Sequence, residues 1–216
     1  MKLCETFRSI QGEVQGIGRQ AFFVRTAGCN LGNKCPVDCD TRYSWDVESG
    51  TTSFDRPDAE IAAEIAASGV SAVVITGGEP MLQQGEIAAL VRLRPGIDWF
   101  IETNGTIAPV DKLHDDEQVF FNVSPKLPSF DPSPFPLERS IFKHVVTPGP
   151  DDLASWKRKM KSMPVAIKQR TYFMPASRNR EQYLSNAPAV ALWCNANGFN
   201  FGPREHMVVF QGMRGL

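Results

Sequence analysis

The sequence predicts an α/β fold: a partial (β/α)6 barrel-like parallel sheet in one domain spanning residues 1–216. Three observations carry this expectation. Short apolar runs alternate with segments of helical periodicity, which implies βα units and a parallel sheet. Those runs are continuously apolar rather than alternating, as expected for strands covered on both faces. Polar and glycine-rich groups recur just after the runs, where parallel sheets place their binding edge.

The first strand is expected at residues 21–26 (Ala-Phe-Phe-Val-Arg-Thr), followed by a loop rich in glycine, asparagine, proline and aspartate to residue 40. Pro57 opens a helix over 58–68 with acids in its first turn, and Gly69 closes it. A buried strand at 71–76, a helix at 81–94 and strands at 99–102 and 119–123 come next. The Pro-rich stretch 126–136 reads as a loop. A strand at 141–146, a helix at 151–160 and a strand at 165–168 continue the rhythm. A last helix is expected at 178–194, with Pro188 as a point of kinking, before a strand at 207–210. With roughly six such strands, the sheet is too short for a full eight-stranded barrel.

Composition narrows the function. A chain of 216 residues, 42% hydrophobic and 22% charged, can bury one core without disulfides. The net charge of -1 gives no basic excess to draw the whole molecule to nucleic acid. No apolar run approaches a membrane span and the N-terminus has no signal-peptide core, so a cytoplasmic protein without a membrane partner is expected.

Five cysteines are present, and three of them, Cys29, Cys35 and Cys39, fall within eleven positions. That clustering suits a metal site in a reducing compartment. Cys4 and Cys194 stand alone and read as small buried hydrophobes. Three thiolates around a four-iron cluster leave one iron open, whereas zinc would need a fourth ligand from Cys4, Cys194 or a histidine. The spacing alone leaves both metals open. In Thr76-Gly77-Gly78-Glu79-Pro80 the two glycines let a ligand approach the backbone, and a carboxylate there can accept from a ligand ammonium.

Taken together, the three cysteines behind a strand and this Gly-Gly-Glu turn resemble the radical S-adenosylmethionine (SAM) superfamily, whose sheet type matches the one expected here. More narrowly, Phe7-Arg8-Ser9-Ile10-Gln11-Gly12-Glu13, Arg25-Thr26-Ala27-Gly28-Cys29-Asn30-Leu31, Cys39-Asp40-Thr41, Glu102-Thr103-Asn104-Gly105-Thr106, Ser124-Pro125-Lys126 and Trp193-Cys194 resemble the 7-carboxy-7-deazaguanine synthase family. These matches run in order along nearly the whole chain.

The resemblance implies a lyase that converts 6-carboxy-5,6,7,8-tetrahydropterin to 7-carboxy-7-deazaguanine by ring contraction with loss of ammonia, in queuosine and deazapurine biosynthesis. It implies a [4Fe–4S] cluster on Cys29, Cys35 and Cys39, and SAM held by Asp40, Gly78, Glu79, Ser124, Lys126 and Gln169. Magnesium would sit on Thr41, and the pterin would meet Ile10, Gln11, Gly12, Glu13, Arg25, Thr76 and His206. An electron donor such as flavodoxin or ferredoxin and a homodimer are implied as well.

The residue chemistry agrees with these jobs. Gln11 both donates and accepts, Glu13 accepts from ring N–H groups, and Arg25 offers a fork to a carboxylate. Without the resemblance, Gln11-Gly12-Glu13 reads better as a surface turn and Arg25 as an edge-strand cation, and Lys126 is open to reading as a solvated loop lysine.

Two departures stand out. The family usually has three and two residues between its cysteines, where this chain has five and three, placing Pro36-Val37-Asp38 where an aromatic often lies. The family's C-terminal carboxylate can touch substrate, whereas this chain continues past His206 to Leu216. The competing readings are a radical SAM activase acting on a glycyl-radical partner and a zinc-stabilised binding module. Gln11, Glu13 and Arg25 favour a small-molecule pocket over the first, and the missing fourth ligand counts against the second.

Overall fold

A computed structural model describes every residue except 47, 49, 51, 212, 214 and 216. The chain begins with strand β1 (Lys2–Ile10), β2 (Gln20–Thr26) and the short β3 (Phe54–Asp55). Helix α1 (Asp58–Ser68) leads to β4 (Ala72–Gly77), and α2 (Gln84–Leu93) to β5 (Asp98–Thr103). After α3 (Asp111–His114) come β6 (Val119–Val123), β7 (Ser140–Val146), α4 (Pro150–Ser162) and α5 (Val165–Gln169). The chain ends with β8 (Thr171–Pro175), α6 (Arg180–Asn197), β9 (Asn200–Phe201) and α7 (Glu205–Val209).

The strands form one open sheet in the order β3-β1-β2-β4-β5-β6-β7-β8-β9. From β2 to β9 every neighbour is parallel, while β1 runs antiparallel to both β2 and β3. The α/β, mostly parallel sheet expected from sequence is therefore present, with an antiparallel edge added.

Strand alternation sorts side chains onto two faces. Phe22, Val24, Val73, Ile75, Trp99, Ile101, Phe121 and Phe142 share the main core with Ile61 and Ile65 of α1 and Ile87, Leu90 and Val91 of α2. Spacings of three and four on those helices put the apolar residues on one stripe, and each such side chain, once buried, contributes about 1.5–3 kcal/mol. Helix α1 starts behind Pro57, carries Asp58 and Glu60 in its first turn and stops at Gly69, whose φ of 69° closes the end. The opposite, inner face begins apolar with Ala21, Ala72, Val74 and Phe100 and turns polar towards the strands' carboxyl ends.

Three expectations need correction. Residues 165–168 form a turn of helix, α5, and the strand is the next segment, β8. Lys168 N–H donates to the Pro164 carbonyl and Arg170 N–H to that of Ile167, so the Val-Ala-Ile run closes on itself, with Val165 67% exposed. A short apolar run does not by itself distinguish helix from strand. Residues 207–210 likewise belong mostly to α7, where Met207 is buried and Val209 is exposed, with no ladder partner. The nine-residue β1 is a strand that periodicity does not mark, because its partly exposed, charged sequence carries no apolar run.

A second apolar cluster, Val146, Met160, Phe173, Val190 and Cys194, seats α4 and α6. His144 packs there, 4.1 Å from the Trp156 ring, and burial pushes its pKa down to about 3. Below pH 6.5 the unfolded chain binds a proton at this imidazole that the folded chain refuses, so stability falls as pH drops from 6.5 towards 3. The slope is about 1.4 kcal/mol per pH unit. Denaturant melts of wild type and His144→Phe at pH 6.5 and 4.5 should therefore differ by roughly 2–3 kcal/mol in their pH dependence. Parallel curves for the two proteins would refute this role for burial.

Candidate active site

The cysteine loop leaves β2 and is backed by the turn after β4. Strand pairing sets Thr26 opposite Gly77, and a Cβ on Gly77 would lie 2.2 Å from the Thr26 carbonyl oxygen. A Cβ on Gly78 would lie 2.1 Å from the Gly28 oxygen and 3.1 Å from Cys29 Cβ. Glu79 N–H then donates to the Gly28 carbonyl at 2.8 Å. Only glycine lets these two loops lie backbone to backbone beside Cys29.

Glu79 has a different job from the one expected of it. It is fully buried, and its carboxylate accepts from Met81 N–H (3.0 Å), Thr103 Oγ1 (2.7 Å) and Asn104 N–H (2.7 Å). Burial raises its pKa against those hydrogen bonds. It pins the β4 turn to the β5 turn rather than facing a SAM ammonium. Asn104 in turn donates to Asn30 Oδ1 and Asn30 to Thr106 Oγ1, which ties the cysteine loop to the Glu102–Thr106 segment.

Cys29, Cys35 and Cys39 are free and partly exposed, with the Trp45 indole N–H donating to Cys39 Sγ at 3.4 Å. Thr41 Oγ1 lies 3.5 Å from the same sulfur. A cavity of about 240 Å3 opens here, lined by Asp38, Cys39, Asp40, Arg42 and Arg178. Among the described residues no three His, Cys, Asp or Glu side chains already converge as a metal site. The donor set still suits a cluster: three free thiols, ionised on metal binding, on a glycine- and asparagine-containing loop that a metal can draw together. Ser124 and Lys126 stand together nearby, Lys126 Nζ donating to Ser124 Oγ at 2.8 Å. Burial and then Lys143 push the Lys126 pKa down.

The inner face below carries a chain of buried charges. Lys143 on β7 donates to Glu13 Oε2 at 2.7 Å and to Glu102 Oε2 at 2.5 Å. Glu102 Oε1 accepts from Gln11 Nε2 (3.0 Å) and Asn122 Nδ2 (2.7 Å). Arg204 donates to Glu13 Oε1 (3.0 Å), to Asp40 Oδ2 (2.6 Å) and to the Ser177 carbonyl (2.7 Å). Burial would raise the Glu13 pKa, but Lys143 and Arg204 outweigh it and hold the carboxyl well below the ordinary range. Burial likewise opposes the charge on Lys143, yet Glu102 and Glu13 keep it firmly protonated.

His206 lies against Gly12, where a Cβ would meet its Nδ1 at 2.3 Å, and Glu205 N–H donates to the Gly12 carbonyl. Burial lowers the His206 pKa and favours the neutral ring. Gln11, Gly12, Glu13 and His206 thus share one wall, reached from Ile10 at the end of β1. Thr76 opposes Arg25 across the β2–β4 ladder. Arg25 is already engaged, its Nε 2.7 Å from Glu5 Oε1 and its guanidinium over the Phe7 and Tyr43 rings.

Gln169 is not at this edge. It ends α5 before β8 begins, so it sits exposed at the amino end of the strand, away from the cysteine loop, and the expectation that it meets SAM is withdrawn. Leu216 lies outside the described residues. Four residues with no role assigned from sequence join the site: Glu102, Asn122, Lys143 and Arg204. Two left a trace, a lysine inside Ile-Phe-Lys-His-Val-Val and an asparagine inside Val-Phe-Phe-Asn-Val, polar interruptions of buried strands.

Residues 14–96 match the family described as "4Fe-4S single cluster domain". The chain is 32% identical to the 7-carboxy-7-deazaguanine synthase of Pyrobaculum aerophilum over 100% of its own length and 97% of that protein. It is 33% identical to the enzyme of the same name from Hyperthermus butylicus, covering 97% of this chain and 92% of the other. Among solved structures, QueE from Escherichia coli superposes with a TM-score of 0.68 over 95% of this chain and 94% of that one, at 24% identity, which shows the shared fold.

Proposed function

Because the chain belongs to the 7-carboxy-7-deazaguanine synthase family, we propose that its pocket turns 6-carboxy-5,6,7,8-tetrahydropterin into 7-carboxy-7-deazaguanine, as a radical SAM lyase of queuosine biosynthesis. Family membership displaces the activase and zinc-module readings. The observation that carries the assignment of residues is Arg204, whose one guanidinium bonds both Asp40, next to Cys39, and Glu13 on the pocket wall. These bonds tie the cluster loop to the pocket wall, which supports taking the chain as one radical SAM domain.

Cys29, Cys35 and Cys39 would hold the four-iron cluster, which when bound supplies reductive cleavage of SAM to a 5′-deoxyadenosyl radical. The Gly77–Gly78 backbone, Asp40, Ser124 and Lys126 bind and orient SAM beside that loop. Ile10, Gln11, Gly12, Glu13, Thr76 and neutral His206 form the wall that holds the pterin, and Arg25 meets its carboxylate from the Glu5 side. Thr41 would offer its hydroxyl to a magnesium ion, a hard cation that takes oxygen ligands. Buried acceptors and cations fix the substrate's orientation and keep water from the reacting carbon. The electron comes from a flavodoxin- or ferredoxin-type donor, and the working unit is a cytoplasmic homodimer. Among the described residues no helix is long and apolar enough to cross a membrane.

Anaerobically reconstituted protein given SAM, reductant, magnesium and carboxytetrahydropterin should form the deazapurine. Cleavage of SAM with no consumption of the pterin would overturn the assignment of substrate.

A further inference from the structure

Buried polar atoms are almost always hydrogen-bonded, so an orphan among the charges of the inner face points to a missing partner. Asn122 is fully buried on the inner face; its Nδ2 donates to Glu102 Oε1, and its Oδ1 has no partner. Lys143 carries three N–H donors, of which Glu13 and Glu102 take two, and among the described residues no acceptor meets the third. Register places Glu102 opposite Asn122 on adjacent strands, with Lys143 on the next. Hydrogen bonding orders the three as Lys143, Glu102, Asn122: a donor, a carboxylate acceptor and an orphan acceptor.

Gln11 and Glu13 are less free to read a ligand than their sequence suggested. Gln11 Nε2 is held by Glu102, and both Glu13 oxygens accept from cations. The pyrimidine edge of a pterin presents O4, N3–H and the 2-amino group, an acceptor followed by two donors.

We propose that Lys143 and Asn122, flanking Glu102, are the specificity residues that read the 2-amino-4-oxo edge of the substrate. Lys143 donates to O4, Glu102 accepts from N3–H at Oε2, where Lys143 is its one donor among the described residues, and Asn122 Oδ1 accepts from the 2-amino group. This rests on the pterin reading of the pocket. A 4-amino analogue would set a donor against the Lys143 ammonium and leave both unpaired, and sites built to bond a polar group reject such analogues strongly. The analogue also lacks N3–H, so Glu102 contributes to the preference, and the share that a Lys143 substitution removes is the lysine's own.

Pterin-6-carboxylate and 2,4-diaminopteridine-6-carboxylate serve as air-stable fluorescent probes of this difference, titrated into reconstituted protein with SAM. Wild type should prefer the 4-oxo ligand by roughly ten- to a hundred-fold, the effect of one hydrogen bond to a charged group. Lys143→Gln, whose amide presents either a donor or an acceptor, should bring the two affinities within about three-fold. Asn122→Leu should weaken the 4-oxo ligand about ten-fold. Equal wild-type affinities, or a preference that Lys143→Gln leaves intact, overturn the inference while the pterin reading stands. Binding of neither ligand by wild type overturns the pterin reading itself. Should Lys143→Gln not fold, Lys143→Arg, which keeps the charge and moves the donors, decides the matter: a preference it leaves intact overturns the inference.

Discussion

Alanine at any one of Cys29, Cys35 or Cys39 should abolish the iron content and visible absorbance of reconstituted protein, whereas Cys4→Ala and Cys194→Ala should keep both. The two groups of thiols differ physically. Cys4 is buried with its sulfur 3.5 Å from the Ser44 carbonyl, and Cys194 is buried beside the Asn200 carbonyl with its pKa pushed up to about 11. A thiol held neutral in apolar surroundings is a poor metal ligand. The other three sit partly exposed on one loop with the Gly77–Gly78 backbone behind them. Removing one leaves two thiolates, too few to retain a four-iron cluster. Iron and sulfide analysis of the five variants checks this. Full iron without Cys35, or metal lost without Cys4, would sink the three-cysteine assignment in spite of the unusual spacing.

Arg204→Met should be the most damaging single change outside the cluster loop. It strips Glu13 of one cation and Asp40 of its partner, and it frees the Ser177 carbonyl. Breaking a buried ion pair from one side costs about 3–5 kcal/mol, which for a chain of this size lowers Tm by roughly 6–20 °C. Arg204→Lys should recover only part of this, since one ammonium nitrogen cannot reach the separate acceptors that the planar guanidinium spans. Below its Tm, the Met variant should load iron yet release more 5′-deoxyadenosine per deazapurine formed, because the pterin wall is no longer tied to the loop. Calorimetry and product ratios are the measurements. A Tm within about 2 °C of wild type together with unchanged coupling would show that Arg204 bridges nothing of consequence.

The parts of this architecture legible in sequence are those in which local pattern and tertiary environment agree. Buried strands such as Val119–Val123 appear as apolar runs, and α1 is bounded by its own proline and glycine. The cysteine loop and the Gly77–Gly78 turn are visible because thiols and paired glycines are rare and chemically specific. Hidden from sequence was whatever depends on partners far along the chain. The carboxylate of Glu79 is plain to see, but the three donors that claim it come from two separate turns. Lys143 and Asn122 looked like strand residues, and only the sheet register brings them to Glu102. Gln169 ends a helix rather than a strand, because a short Val-Ala-Ile run fits either equally well and the neighbouring ladder takes the next segment, β8.

The bond between Glu13 and Arg204 joins residues 191 positions apart, and that between Lys143 and Glu13 joins residues 130 apart. On a ribosome adding about 5–20 residues per second, Glu13 is made some 10–40 s before its second cation. Through that interval the early strands can pair and bury α1 and α2, but the inner face holds carboxylates with no counter-charge until Lys143 is made, and Glu13 and Asp40 still lack their guanidinium until Arg204 follows. Acquisition of the binding site is thus the closing act of biosynthesis. A chain halted before residue 204 would present a collapsed shell with native helices and nothing for a pterin to enter.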